Sequence, residues 1–114
     1  MSVFGKFIAK MDENDLASAL AQSERSMLPA ARRALVESIF AVFRERGESS
    51  EDAAEGAGTT VSAIEAGQSQ AVAALLAYAH GSAGLLKEAT TTFIEEHPEF
   101  VDQLPPALVR GISR

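Results

Sequence analysis

Apolar residues recur at helical spacing along almost the whole of this chain, and no run alternates apolar and polar positions as a half-buried strand does. Val3, Phe4, Phe7, Ile8 and Met11 predict a short amphipathic helix over about 2–11, despite Gly5. Asp12 and Asn14 are good caps for a second helix that turns Leu16 and Leu20 inward. Pro29 suits the first turn of a third, where its missing N–H costs nothing. In that helix, about 29–46, Leu35, Val36, Ile39, Phe40, Val42 and Phe43 form a wide apolar stripe. Arg44 and Arg46 sit where cations favour the helix dipole, and Gly47 supplies a left-handed end.

Ser49 or Ser50 caps a short acidic helix running to about Ala57, which Gly56 and Gly58 end. Thr59 or Thr60 then opens a second long helix, about 60–80, with Val61, Ile64, Val72, Leu75, Leu76 and Ala79 on its apolar side. Gly67 is a candidate break or kink within that helix, and Gly81 is its expected C-cap. Another helix, about 83–96, follows Ser82 and stops at His97-Pro98, because the residue before proline disfavours the α region. Phe100, Val101 and Leu104 add one turn, and Pro106 starts a last short helix through Ile112. Asn-Gly and Asp-Gly hairpin turns do not occur, and no internal repeat is evident. The expectation is one all-α domain over 1–114: a compact bundle of five to seven helices, two of them long, at about 29–46 and 60–80.

Composition narrows the chemistry. With 114 residues the chain can bury a core without disulfides or metal. It has no cysteine, which removes thiolate ligands and thiol nucleophiles and suits a cytoplasmic location. The opening residues Met1–Lys6 lack the basic region and apolar core of a secretory leader. The stretch Ala66–Leu86 holds no charge, but Gln68, Ser69, Gln70, His80 and Ser82 interrupt it, so a buried helix and turn are expected rather than a membrane span.

The net charge of −6 is unevenly spread. Over residues 44–67 two arginines face six carboxylates, and over 87–102 one lysine faces five. Such surfaces repel phosphate backbones and anionic headgroups and suit either solubility or a basic protein partner.

The acidic text from Ser49 to Gly67 has a further reading. Ser49, Ala54, Ala57, Gly58, Val61, Ile64, Glu65 and Gly67 fall where the lambda-repressor-like helix-turn-helix family has its cap, small packing residues, turn and end of the recognition helix. The segment 49–67 resembles that family, which implies a DNA-reading corner and a transcriptional regulator. It differs in being about three residues shorter between Gly58 and Val61, nearly one helical turn. The positions that would read bases, Thr59, Thr60, Ser62 and Ala63, include no Arg, Lys, Asn or Gln. A plain helical corner built from good caps and small residues explains the same text.

Other motifs carry less. His80 and His97 are the only histidines, and with Glu88, Glu95 and Glu96 they are the candidates for metal or acid–base chemistry. Neither Glu-x-x-His nor His-Glu-x-x-His spacing occurs. His80 is better placed to meet the free carbonyls of a helix end, and His97 in a solvated acidic one. His80-Gly81-Ser82-Ala83-Gly84 lacks the first glycine and the leading strand of a nucleophile elbow. No phosphate loop or dinucleotide fingerprint is present, and no cofactor is expected.

The segment Ala71–Ala79 is apolar on most of its circumference. It reads as the hub of the bundle or as a dimer seam, with Val72, Leu75, Leu76, Tyr78 and Ala79 as candidate interface and the Tyr78 hydroxyl at an edge. The sequence therefore favours a non-enzymatic interaction module, with a protein partner or a second copy of itself, over nucleic acid or membrane.

Overall fold

The computed structural model describes residues 3–104, with the backbone alone described at 3–5 and 7. Among these residues the chain forms seven α-helices and two 3₁₀ turns, and no strand. The α-helices are α1 Val3–Lys10, α2 Glu13–Ser23, α3 Pro29–Glu45, α4 Ser50–Ala57, α5 Val61–Glu65, α6 Ser69–His80 and α7 Leu85–Glu96. The 3₁₀ turns are Glu24–Ser26 and Pro98–Gln103. The apolar stripe of α3 lies along α7, and this pair is the spine of the fold. Phe40, Phe43 and Phe93 are fully buried in it, with Leu35, Ile39, Leu85, Leu86 and Leu75 around them. Within the spine, Ser38 donates its hydroxyl to the Ala34 carbonyl at 3.0 Å, so its burial leaves no donor unsatisfied.

Local chemistry explains most boundaries. Asp12 accepts from the Asn14 and Asp15 N–H groups and starts α2. Gly47 is left-handed at φ +91° and follows α3, as expected. The expected helix over 60–80 is two helices. Gly67 adopts φ +76°, a conformation that ends α5, and α6 starts again at Ser69. α3 is therefore the single long helix among the described residues. The start expected near Ser82 falls later: Gly84 at φ +74° precedes α7, while Gly81 sits after α6 in right-handed geometry. The expected helix of 106–112 lies outside the described residues.

Arg32 ties three segments together. Its Nε donates to the Glu24 carbonyl at 2.9 Å, and its Nη atoms donate to the carbonyls of Arg25, Met27 and Gly67 at 3.3–3.4 Å. The Glu24 side chain is 1 % exposed, and its Oε2 lies 3.4 Å from Arg32 Nε, an ion-pair distance without hydrogen-bond alignment. One guanidinium thus fixes the 3₁₀ turn, the start of α3 and the end of α5.

Candidate functional site

The acidic corner between α3 and α6 is built from short-range caps. Ser49 Oγ accepts from the Asp52 N–H at 3.1 Å and starts α4, with Glu51 and Asp52 in the first turn where the dipole favours anions. Gly58 at φ +85° ends α4, and the Thr59 N–H returns to the Ala54 carbonyl at 2.9 Å. Thr60 Oγ1 accepts from Ala63 N–H at 3.1 Å and starts α5. Ile64 anchors this single turn in the core.

A tyrosine props the corner from beneath. Tyr78 on α6 stacks on Phe43 of α3 with ring centroids 5.4 Å apart. Its hydroxyl donates to Glu48 Oε2 at 2.5 Å, beyond the end of α3. α4 crosses this ring so closely that a Cβ on Gly56 would lie 2.6 Å from Tyr78 Cζ. A side chain at 56 would therefore have to push the end of the Tyr78 ring aside, and glycine here leaves room for it although it weakens α4. The Glu48 carboxylate, by accepting a hydrogen bond from the protonated hydroxyl, holds Tyr78 above the usual phenol range; partial burial and the negative charges of Glu48 and Asp52 push the same way.

Outward, α4 and α5 border an open cleft of about 550 Å³ with Ala54 and Val61 at its base. Glu51 and Glu55, four residues apart on α4, line the same cleft beside Thr59 and Ser62. Glu51, Asp52, Glu55 and Glu65 are exposed, and none belongs to an ion pair among the described residues. A groove of about 490 Å³ between α1, α3 and α7 differs, since Lys87 lines it together with Glu45 and Glu88.

As a DNA reader this corner is short. α5 spans five residues, roughly 7.5 Å at the α-helical rise. Its exposed positions are Ser62 and, at its end, Glu65 and Ala66, which offer no cation to phosphate.

The residues singled out in α6 are placed mainly as hub. Val72, Leu75, Leu76 and Ala79 are at most 2 % exposed within one copy, so they present no surface. Tyr78 alone of the five is half-buried, and its hydroxyl lies against α4 at Gly56. His80, at the end of α6, meets Asn14 Oδ1 of α2 through Nε2 at 2.6 Å rather than the helix carbonyls. His97 follows α7, 3.4 Å from Glu99 and flanked by the rings of Phe93 and Phe100. Among the described residues no three metal-ligating side chains converge. No helix among them is long and apolar enough to cross a membrane.

Sequence reasoning missed Tyr78–Glu48 and the Arg32 staple. The one local signal for the first was a glycine inside an otherwise helical segment, Gly56. Comparison with protein families, curated proteins and solved structures finds no match for this chain.

Proposed function

We propose that this protein is a non-enzymatic interaction module that receives a basic protein segment on the α4–α5 corner. The observation that carries the reading is the pair of exposed carboxylates, Glu51 and Glu55, that line a cleft over Ala54 and Val61 with no ion-pair partner among the described residues. Lysine or arginine side chains of a partner would meet Glu51 and Glu55, and an apolar side chain would enter over Ala54 and Val61. Charge complementarity of this kind sets encounter rate and partner choice more than raw affinity. The caps and the Tyr78 prop hold the carboxylates on a fixed frame, which lowers the ordering cost of binding. A cytoplasmic setting fits the cysteine-free composition.

Anisotropy of a labelled, lysine- and arginine-rich helical peptide tests the reading. Binding should fall as salt rises and drop at least tenfold, about 1.4 kcal/mol, in the double variant Glu51→Lys/Glu55→Lys. Equal binding by the variant contradicts it. Preferential binding of duplex DNA at low salt would instead support the transcriptional-regulator reading implied by the helix-turn-helix resemblance.

A further inference from the structure

A second surface, away from the acidic corner, is self-complementary. The outer face of α2 runs Asp15, Ser18, Ala21, Gln22 and then Arg25 in the 3₁₀ turn that continues it, all exposed. Steps of three and four residues keep these side chains on one side of the helix. Asp15 closes one end and Arg25 the other, and neither takes part in an ion pair among the described residues. Between them the surface is small and neutral. α6 runs antiparallel beside α2: its last residue His80 meets Asn14, while Gly67 before its start shares Arg32 with Arg25. It extends the neutral strip with exposed Ala73 and Ala77. A hollow of about 210 Å³ lies between the two helices, lined by Ala17, Ser18, Ala21, Ala73 and Ala77 among others. Another, of about 340 Å³, lies beside it against Ala21, Gln22 and Arg25.

We infer that this face docks a second copy of the chain, with the two α2 helices antiparallel about a two-fold axis beside residues 18–22. In a two-fold contact, if one residue meets another, the reverse contact follows by symmetry. The antiparallel arrangement sets Asp15 of each copy against Arg25 of the other, giving two identical pairs, and opposes the two helix dipoles favourably. A parallel arrangement would set Asp15 against Asp15 and Arg25 against Arg25. Two copies at −6 each repel in general, so approach costs least where the surface between the charged ends carries no carboxylate. Alanine and serine let helix axes come to about 8 Å, the close end of helix packing.

The face is small. α2 has eleven residues, about 16 Å at the helical rise. That places the contact in the transient class, below about 1,200 Å² in total, so monomer and dimer exchange with concentration. This inference does not rest on the acidic corner, which lies on α4 and α5.

Sedimentation velocity of the full chain over a dilution series tests it. The native chain should gain mass with concentration. Asp15→Arg and Arg25→Asp should each weaken the dimer roughly tenfold, because each turns two attractive pairs into two repulsive ones. The double variant Asp15→Arg/Arg25→Asp restores opposite charges and should recover the native dimer constant to within a few-fold. Helical ellipticity checks that each variant is folded. If a reversal unfolds the chain, Ala73→Glu on the exposed strip carries the test: a weakened dimer supports the inference and an unchanged one overturns it. A native chain that stays monomeric up to about 1 mM also overturns it, since it then lacks even about 4 kcal/mol of association. So does a dimer indifferent to both single reversals, or one that the double variant fails to restore.

Discussion

Tyr78 is the only tyrosine, and the chain has no tryptophan, so tyrosinate absorbance follows this one hydroxyl. The folded chain holds its proton more tightly than the unfolded chain because the protonated hydroxyl donates a hydrogen bond to Glu48. A raised value means that the contact adds stability below the ordinary phenol value of about 10 and loses it as pH rises through the folded value. An alkaline titration should therefore show a midpoint above about 10. Glu48→Gln should lower that midpoint, since it removes the charge. A native midpoint at or below the ordinary value, or one indifferent to the substitution, contradicts the assignment. Arg32 and Glu24 make the second residue-scale prediction. Arg32→Leu strips the partner from a buried carboxylate and should cost about 3–5 kcal/mol in urea unfolding. Adding Glu24→Leu should recover only the part of that loss due to the lone buried charge, because the four carbonyls that Arg32 served still lack their donor. A loss below about 1 kcal/mol in the single variant would show the staple to be idle. Neither pair was legible in the sequence. Glu48 and Tyr78 are thirty residues apart, and Arg32 reaches the Gly67 carbonyl thirty-five residues away.

Element by element, what was legible was what is local. Asp12, Ser49 and Thr60 cap helices through their own side chains, and Gly47 and Gly58 turn left-handed after α3 and α4. Each of these acts within a few residues, so the text carries it. The 60–80 helix failed as a single rod because helix periodicity runs through the break: Val61, Ile64, Val72, Leu75 and Leu76 are inward or half-buried on both sides of Gly67. Periodicity alone does not report the left-handed turn or the Arg32 side chain that grips its carbonyl. Gly67→Ala separates the two pictures. In a continuous helix the substitution would add about 1 kcal/mol of stability by propensity. At φ +76°, with a Cβ 3.2 Å from Arg32 Nη1, it should instead cost about 1–3 kcal/mol. A rise in urea midpoint would contradict the break. The candidate seam on α6 met a similar limit. Apolarity around a helix says that it is covered but not by what, and here α2, α4, α5 and α7 of the same chain cover it.

At the scale of the whole molecule, charge divides the surface into faces with different prospects. The corner of α4 and α5 concentrates exposed carboxylates, and the α2–α6 face is neutral between one acid and one base. This division was partly legible, because net charge along a helix survives folding. Its geometry was not: α6 sets Tyr78 against Gly56, and Arg32 holds the end of α5, both across long separations in sequence. The proposed contact face for a basic segment is the acidic corner. A titration followed by two-dimensional amide NMR, adding a lysine- and arginine-rich helical peptide to the full chain, tests it most directly. The expected result is salt-sensitive shifts centred on Ser50–Ala57 and Val61–Glu65, absent from Glu51→Lys/Glu55→Lys, with the α2–α6 face unmoved. Shifts centred on α2 and α6, or no shift at all at low salt, would contradict it.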